Sequence, residues 1–424
     1  MALRRPSGTV AAIDIGTTKV CTLIGDLDGD GLPRVLGVGV TTSKGMSRGA
    51  IDDMAEVTAC VRRSIEIAVQ SSGGIPVGTA TVGLAGGHVG GLNNKGLTAL
   101  PHANRPITDD DVERALDSAR TIAIPSNREV IHVLPRHYLV DGAEQVSNPV
   151  GMHGHRLDVE AHVITGAVSA MQNLKHCVTD AGIGVDQLVL EQLASLEAVL
   201  DGEERRHGVI LADIGGGTTD IAVVLNNAVY HTAVLAVGGN SITNDLVIGL
   251  RTPFQAAEEA KEIYGHAIPS AVSEDEMVEL NAFGAEGRRN VSRRRLCEIV
   301  QARMEEILEN IGIEVRRVGL TDLAAAGLVL TGGAANLEGI EQLATEVLHM
   351  PVRVAYPHEV SGKRELIVNP AFATSIGLLA WAARERGLQP AGAEPVYEQV
   401  ARRQSDTMNS WMRKLQVAVR AMLP

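Results

Sequence analysis

The segment LADIGGGTTD at Leu211–Asp220 places an acid, three glycines and two hydroxyl residues directly after an apolar run. The run Val209–Ala212 predicts a buried β-strand. Glycine accepts positive φ angles and lets the backbone approach a ligand closely. Successive backbone N–H groups in such a turn can cradle phosphate oxygens. The acid at the end of the strand, Asp213, can hold a water of Mg²⁺ or orient an attacking water.

A second copy of this pattern, VAAIDIGTTKV at Val10–Val20, again joins an apolar strand to Asp, Ile, Gly and two threonines. Asp14 and Asp213 lie 199 residues apart (213 − 14). One glycine-rich turn alone is equally consistent with an ordinary β-hairpin. Two similar turns at that distance indicate a duplicated fold that holds a phosphate between its halves.

The segments DIGTTK (residues 14–19) and DIGGGTTD (residues 213–220) resemble the two phosphate loops of the actin/Hsp70/sugar-kinase ATPase superfamily. Within that superfamily, the chain from Val10 to Arg384 resembles the FtsA family of bacterial cell-division proteins, and so does its C-terminal tail. The resemblance implies an α/β fold of the actin-like, duplicated ATPase type. Two halves would surround a nucleotide cleft, and one half would carry a small α+β insertion subdomain.

Composition limits the class of protein further. The 424 residues suggest two to four domains. The 45% of apolar residues are enough for sizeable hydrophobic cores. Because only 2% of the residues are aromatic, these cores must consist mainly of aliphatic side chains. A net charge of −13 argues against a general nucleic-acid binder. The four cysteines form no Cys-x-x-Cys pair, which favours reduced, buried thiols over a zinc or redox site.

The N-terminus and the hydropathy predict a protein that is made and kept in the cytoplasm. Arg4 and Arg5 are followed by no long apolar region, so no signal peptide is predicted. No window holds the roughly 18 uninterrupted apolar residues that a transmembrane helix needs.

Strand, helix and turn signals, combined with the resemblance, divide the chain into nine segments. They are a first actin-like half at 1–85 (subdomain 1A), the α+β insertion at 86–162 (1C), the rest of 1A at 163–205, the start of the second half at 206–250 (2A), subdomain 2B at 251–318, the rest of 2A at 319–371, a helix returning to 1A at 372–386, a linker at 387–408 and an amphipathic helix at 409–424. Within 2B, residues 267–291 are predicted to be loop-rich, and residues 292–317 to form one long amphipathic helix.

The insertion is predicted from a helix at Asp109–Thr121 and from strand-like runs at 130–134, 136–140 and 157–165. Thr108 is a good N-cap for this helix, and the acids that follow it suit the helix dipole. The five histidines from His132 to His162 match no metal-site spacing. By resemblance, this subdomain binds other division proteins.

The resemblance assigns roles around a bound Mg-ATP. Asp14 and Asp213 would handle Mg²⁺ and its waters, and both count as catalytic residues together with Glu191. The residues implied to hold the phosphates are Gly16, Thr17, Thr18, Lys19, Gly215, Gly216, Gly217, Thr218 and Thr219. The residues implied to hold the nucleoside are Gly239, Glu258, Lys261, Gly332, Gly333 and Asn336.

Three of these assignments have a plainer alternative. Glu191, at a strand-to-helix junction, is implied to orient the hydrolytic water, but an acid in the first turn of a helix commonly faces solvent. Glu258 and Lys261 share a helix face, where an exposed ion pair would contribute little. The turn at Gly332-Gly333 is ordinary in α/β proteins, and it is specific here as the third element in order after two phosphate loops.

Arg303 lies on the polar face of the predicted long helix, and such a face is usually only solvated. In the FtsA family this subdomain meets the tubulin-like division protein FtsZ. The resemblance therefore makes Arg303 a candidate partner contact.

The tail beyond the linker predicts a basic amphipathic helix, with five basic residues and one acid from Val400 onward. Its 14 residues from Ser410 to Leu423 span only ~21 Å at 1.5 Å per residue, too little to cross a bilayer. The pattern is typical of a helix lying in the surface of an anionic membrane. The alternative is a helix docked on the protein's own body. The predicted membrane contacts are Trp411, Met412, Arg413, Lys414, Leu415, Val419 and Met422.

The resulting hypothesis is an actin-like, ATP-binding cell-division protein with weak ATPase activity. It would polymerise on the inner face of the cell membrane at the division site and tether FtsZ filaments there. Its cofactors would be ATP and Mg²⁺. Its partners would be FtsZ, further copies of itself, the anionic membrane surface and other division proteins.

Three other classes of protein share parts of this pattern. A pilus-assembly protein such as PilM has the same insertion but predicts no membrane-inserting tail. A sugar kinase needs a polar sugar pocket in the cleft. An Hsp70-type chaperone needs a β-rich substrate domain after the ATPase, which roughly 40 residues of linker and helix cannot supply.

Overall fold

The structure is a computed structural model that describes residues 8–27, 32–100, 105–143, 145–283, 287–358, 360–363, 365 and 367–385. The predicted linker at 387–408 and the predicted amphipathic helix at 409–424 lie outside the described residues. Every residue assigned to membrane contact, from Trp411 to Met422, lies outside them as well.

The helices and strands alternate through two halves and an insertion. The first half begins with β1 (Val10–Ile15), β2 (Lys19–Leu27), β3 (Pro33–Thr42), β4 (Met46–Ser47), β5 (Ala50–Ile51), α1 (Met54–Ser71) and β6 (Thr79–Leu84). The insertion has β7 (Val89–Ala99), α2 (Asp109–Arg120), β8 (Arg128–Val140), β9 (Gln145–Val146) and β10 (Arg156–Ala167). The first half resumes with α3 (Val168–Asp180), β11 (Gly184–Leu190), α4 (Glu191–Val199) and α5 (Gly202–His207). The second half and the C-terminal return comprise β12 (Val209–Ile214), β13 (Thr219–Leu225), β14 (Ala228–Leu235), α6 (Gly239–Leu250), α7 (Phe254–Tyr264), β15 (Met277–Asn281), β16 (Arg288–Ser292), α8 (Arg293–Arg317), β17 (Leu328–Thr331), α9 (Ile340–Leu348), β18 (Val352–Val354), β19 (Ser361–Gly362) and α10 (Ala373–Glu385).

The two large sheets share a five-stranded topology, to which the first sheet adds β19 beside β3. The first runs β11-β6-β1-β2-β3-β19 and the second β18-β17-β12-β13-β14. In both, an antiparallel meander (β1 to β3, β12 to β14) is extended by parallel strands. The register repeats too, because Asp14 pairs with Cys21 and Asp213 with Asp220. The duplication predicted from the two turns is confirmed.

Both central strands are buried along their whole length because helices cover both faces of each sheet. Val10 and Ala12 of β1 share one core with Val209 and Leu211 of β12, and α4 and α10 complete that core. The alternate residues of β1 pack against α1 and α3, and those of β12 pack against α6 and α8. The shared core therefore joins the two halves.

Helix α10 lies closely against α4 in this shared core. A Cβ atom added at Gly377 would lie 1.7 Å from the carbonyl oxygen of Ala194, so only glycine permits this approach. Leu378 and Leu379 beside it are fully buried. The close packing places the first turn of α10 beside both central strands.

The insertion is a four-stranded antiparallel sheet of order β7-β10-β8-β9, with α2 packed against it and a core of its own. The predicted strands at 130–134 and 136–140 form the single strand β8, so their separation was wrong. The register shifts between Glu160 and Ala161 of β10, which pair with His137 and Pro135. Proline lacks an N–H group, and a bulge is a position where a strand tolerates that loss.

Residues 267–291, predicted to be loop-rich, contain the antiparallel hairpin β15–β16. Val278 and Leu280 are buried in the core of the second half, while their neighbours in β15 are exposed. This alternation covers only five residues. It is too short to stand out in a polar segment that contains glycine.

The insertion also contacts β14 of the second half. His162 of β10 places Nε2 2.9 Å from Thr232 Oγ1 and Nδ1 2.7 Å from Asn93 Oδ1. The Arg136 guanidinium lies 4.0 Å from the centre of the Tyr230 ring. Burial lowers the pKa of His162 to about 3. This histidine is therefore a neutral hydrogen-bonding residue between the insertion and the second half at physiological pH.

Glu197 of α4 forms ion pairs with both α5 and α10. Its carboxylate lies 2.6 Å from Arg384 and 3.5 Å from Arg205, and its side chain is 8% exposed. Burial raises the pKa of Glu197, but attraction to the two arginines outweighs burial and lowers the pKa to about 2. The carboxylate is therefore ionised at much lower pH in the folded chain than in the unfolded chain.

We expect Glu197→Gln to destabilise the fold by about 3–5 kcal/mol at pH 7, because two partly buried guanidinium groups lose their carboxylate. The folded pKa lies below the unfolded one. The stability that Glu197 provides is therefore fully present above about pH 4.5 and is lost as the pH falls towards 2. Denaturant unfolding at several pH values measures this, with the exposed Glu66→Gln as the control. A difference from wild type that is the same at pH 7 and pH 3 would contradict the assignment.

Candidate functional site

The hairpins β1–β2 and β12–β13, whose first strands carry Asp14 and Asp213, have the same turn; we call them the acid-tipped hairpins. In the first, the Gly16 N–H donates to the Lys19 carbonyl oxygen at 3.0 Å. In the second, the Gly215 N–H donates to the Thr218 carbonyl oxygen at 2.9 Å. Both pairs are offset by the same 199 residues that separate the two acids. The two predicted phosphate loops are therefore equivalent in structure.

The two loops touch each other across the boundary between the halves. A Cβ atom at Gly216 would lie 1.9 Å from Thr18 Oγ1, and one at Gly217 would lie 2.5 Å from Thr17 Oγ1. Any larger residue would push the loops apart. The glycines that suggested a phosphate cradle in the sequence therefore also allow the two halves to meet.

Asp14 and Asp213, near the ends of β1 and β12, are only 4% and 8% exposed. Ser195 of α4 and Thr374 of α10 both donate to Asp213 Oδ2, at 2.7 and 2.9 Å. Ser375 of α10 donates to Asp14 Oδ2 at 2.7 Å. Neighbouring hydroxyls at the start of one helix therefore hold the acids of both halves.

The other oxygen of each carboxylate faces a glycine turn. A Cβ atom at Gly16 would lie 3.9 Å from Asp14 Oδ1, and one at Gly332 would lie 2.3 Å from Asp213 Oδ1. Gly332 also has a φ of +88°, so both its space and its conformation require glycine. Within the described ranges, no side chain donates a hydrogen bond to either Oδ1 atom. Each acid thus keeps one oxygen available beside a turn.

Lys19 is the cation of this site. Its Nζ lies 3.4 Å from Asp14 Oδ2 and 5.3 Å from the centre of the Phe372 ring. Burial lowers the pKa of Lys19, but attraction to Asp14 and Asp213 outweighs burial, and the net pKa is raised. The ammonium group is therefore charged at neutral pH.

Sequence reasoning missed the three hydroxyl residues Ser195, Thr374 and Ser375. The available signal was Thr374-Ser375 within the segment AFATSIGLLAWAA, where two polar residues interrupt an otherwise apolar helix. All three side chains are at most 8% exposed. Buried hydroxyls need partners, and these partners are the two acids.

Glu191 begins α4 and lines a cavity of about 190 Å³ together with Gly16, Thr17 and Thr218. Its side chain is half-buried. Burial raises the pKa of Glu191, and repulsion from the carboxylates of Asp14, Asp220 and Asp213 raises it further. The structure therefore places this acid in a cavity that residues of both phosphate loops line.

Asp220 is a fourth acid of the site that sequence reasoning did not select. Gln192 Nε2 donates to Asp220 Oδ1 at 2.6 Å, and Thr218 Oγ1 donates to Oδ2 at 3.0 Å. Burial is the main cause that raises the pKa of Asp220 to about 8, and repulsion from Asp213 is the second. Gln192 also donates to the Ala233 carbonyl oxygen at 3.4 Å. The second loop is thereby connected through α4 to β14, the strand against which the insertion packs.

The candidate nucleoside residues gather at the start of α6. Glu258 and Lys261 of α7 form an ion pair of 2.7 Å with side chains only 17% and 13% exposed, so the alternative of an exposed pair is wrong. Lys261 Nζ also donates to Thr243 Oγ1 at 2.9 Å and to the Gly239 carbonyl oxygen at 3.3 Å. A Cβ atom at Gly239 would lie 3.6 Å from the Cβ atom of Ala334, in the turn after β17.

The glycine turn after β17 completes this region. Asn336 Nδ2 donates to the Gly333 carbonyl oxygen at 3.0 Å and to Asn369 Oδ1 at 2.9 Å. The Gly332 N–H donates to the Pro370 carbonyl oxygen at 3.2 Å. The turn is therefore held by the segment that leads into α10.

Arg303 lies away from these loops, on α8. Its guanidinium forms a fork with Asp245 of α6 at 2.6 and 3.1 Å and contacts Glu306 at 2.7 Å. Together with Ile299 these side chains line a surface groove of about 310 Å³, and Ile248 on α6 is 76% exposed. Arg303 thus organises the α6–α8 surface through ion pairs within the chain.

Comparison with known proteins shows what the chain resembles as a whole. A family model described as "Cell division protein FtsA" matches residues 210–377, and one described as "SHS2 domain inserted in FTSA" matches residues 86–165. Cell division protein FtsA of Pseudomonas aeruginosa is 40% identical over 386 residues, covering 91% of this chain and 92% of the relative. That of Escherichia coli K12 is 34% identical over 412 residues, covering 96% of this chain and 97% of the relative.

Solved structures with the same fold are more distant in sequence. The PilM-PilN type IV pilus biogenesis complex matches with a TM-score of 0.63 and 16% identity, covering 90% of this chain and 99% of that chain. MreB5 of Spiroplasma citri bound to ADP matches with a TM-score of 0.52 and 13% identity, covering 88% and 95%. The predicted actin-like fold is confirmed.

We expect Thr374→Val to lower the free energy of unfolding by about 1–3 kcal/mol, because the variant keeps the shape of the side chain but removes a donor to the buried Asp213 carboxylate. Thermal or denaturant unfolding without added ligand measures the effect. Thr345→Val on the exposed face of α9 is the matched control and should change the stability by less than about 0.5 kcal/mol. Equal stabilities for the two variants would show that the Thr374 hydroxyl does not hold Asp213.

Proposed function

The chain belongs to the FtsA family of cell division proteins, and from this premise we propose that it binds Mg-ATP between its halves and tethers FtsZ filaments to the inner face of the cell membrane. The proposal of ATP binding rests on one observation: two equivalent glycine turns, each beside a buried acid, meet between the duplicated halves. The membrane part rests on the basic amphipathic sequence of the tail.

The acids fit a hydrated magnesium ion. Mg²⁺ prefers oxygen ligands and keeps several of its waters. The hydroxyls of α4 and α10 fix Asp14 and Asp213 through Oδ2, which leaves Oδ1 of each beside a glycine turn. Asp14 and Asp213 would hold the ion directly or through its waters.

The two loops fit the phosphates of ATP. Their backbone N–H groups would cradle phosphate oxygens along Gly16–Lys19 and Gly215–Thr219. The Lys19 ammonium adds a positive charge next to Asp14. Glu191, in the cavity between the loops, would orient the water that attacks the terminal phosphate, giving weak ATPase activity.

The region at the start of α6 fits the nucleoside. The Glu258–Lys261 pair offers charged groups for the ribose hydroxyls. A planar base would pack against the backbone at Gly333, where an added Cβ atom would have only the Cβ atom of Ala371 nearby, at 3.9 Å. Gly239 and Gly332 would lie beside it. Asn336 holds the turn after β17 in place.

Membrane attachment would come from the tail. The Escherichia coli relative covers 96% of this chain, so the similarity extends past residue 386 into the predicted linker. In the described part of the chain, every helix is too short or too polar to cross a bilayer. A short interfacial helix binds weakly on its own, and polymerisation of the protein would strengthen attachment through avidity.

FtsZ would bind α8 of subdomain 2B along the groove that α8 forms with α6 of subdomain 2A. Arg303, Asp245 and Glu306 give this groove both charges, and Ile248, three residues after Asp245 on α6, is an exposed apolar residue. The insertion, built on its own core, would bind other division proteins. The protein would act at the division site.

Asp213→Asn tests the nucleotide site. We expect the affinity for ATP in the presence of Mg²⁺ to fall about tenfold or more, because an amide replaces a charged ligand of the ion. Titration calorimetry with and without Mg²⁺ measures this, and the exposed Asp117→Asn in the insertion is the control. Unchanged affinity and hydrolysis rate would remove the case for Asp213.

Co-sedimentation with anionic liposomes and ATP tests the tether. We expect the full chain to pellet with lipid and a chain ending at Glu398 to stay in solution, because only the full chain keeps the amphipathic helix. FtsZ added next should pellet only with the full chain. If both chains stay in solution, the tail is a docking helix and the membrane proposal is wrong.

A further inference from the structure

A short hairpin with a two-residue turn in the first half lies against both phosphate loops. Strands β4 and β5 pair Ser47 with Ala50, and Arg48 and Gly49 form the turn between them. The Gly49 N–H donates to Thr17 Oγ1 of the first loop at 3.3 Å. The Arg48 backbone packs on the second loop, since a Cβ atom at Gly217 would lie 3.0 Å from Arg48 Cα. The tip of the hairpin is thus fixed where the two loops meet.

The residue at this tip is unusual for its backbone conformation. Arg48 and Gly49 have φ angles of +47° and +74°. Hairpin turns with two positive φ angles strongly favour asparagine, aspartate or glycine at the first position. A left-handed arginine costs conformational energy, and such strained residues cluster at functional sites. The local fold would be served better by asparagine, so the arginine side chain itself needs an explanation.

The guanidinium is available for a ligand. Arg48 is exposed, and none of the ion pairs between described residues includes it. It lines a cavity of about 210 Å³ that also borders Thr17, Gly216, Gly217 and Asn240. Lys19, the other cation at the loops, is already bound to Asp14. Arg48 therefore offers the phosphate site a positive charge that no carboxylate within the described residues neutralises.

We propose that Arg48 recognises the terminal phosphate of the bound nucleotide, so that the hairpin 46–51 distinguishes ATP from ADP. This inference rests on the proposed function, which places the phosphates along the two loops. Guanidinium groups bind phosphate oxygens through charge-assisted, often bidentate hydrogen bonds. Because the Gly49 N–H bonds to the first loop and the Arg48 backbone packs on the second, a phosphate bound by Arg48 also links the hairpin to both halves.

Arg48→Asn in the full chain tests this proposal, since asparagine suits the turn and lacks the charge. Binding of ATP and of ADP, each with Mg²⁺, is measured by titration calorimetry. We expect the affinity for ATP to fall about tenfold or more and that for ADP by less than about twofold, because only ATP carries the group that Arg48 binds. Arg48→Lys should restore part of the preference for ATP. Lys44→Asn, an exposed cation just before the hairpin, should bind both nucleotides like wild type.

Thermal unfolding without nucleotide shows whether the fold is intact, and Arg48→Asn should unfold at or above the wild-type temperature. Equal losses for ATP and ADP, or no loss for either, would overturn the role of Arg48 while leaving the nucleotide site in place. The same holds if the wild-type chain binds both nucleotides equally well. A wild-type chain that binds neither nucleotide would overturn this inference together with the proposed function.

Discussion

Two carboxylates buried at the ends of facing strands are the constraint around which this structure is arranged. A buried ion without partners costs several kcal/mol, and Asp14 and Asp213 are almost completely removed from solvent. Burial raises the pKa of Asp213, and the hydrogen bonds from Ser195 and Thr374 oppose that rise. The fold supplies these donors from α4 and α10, so the two helices are needed at the site as well as in the core.

Helix α10 connects this constraint to the architecture. Its first turn binds one acid from each half, its middle packs at Gly377 on the backbone of α4, and its last turn binds Glu197 through Arg384. Motion of one half against the other would have to move these contacts. A ligand that binds Asp14 and Asp213 would therefore act on the same helix that holds the two halves together.

Much of the fold could be predicted because its signals are local. Apolar runs next to glycine turns predict the strands that lead to Asp14 and Asp213, and hydrophobic periodicity predicts the long helix α8. The short hairpin β15–β16 and the continuous strand β8 could not, because an alternation of five residues or a strand with a proline bulge gives no distinct local signal. The partners of the two acids were missed for a different reason, since Ser375 and Asp14 lie 361 residues apart in the chain.

The sequence by itself determined the duplication, the positions of the two acid-tipped turns and the family, because each of these depends on residue order and on short-range backbone preferences. Tertiary structure alone decided which oxygen of each acid is held, that Ser195, Thr374 and Ser375 hold it, and that Arg48 lies where the two loops meet. These features depend on contacts between residues far apart in the chain. Their geometry is set by how closely glycines let the two sheets and α10 approach one another.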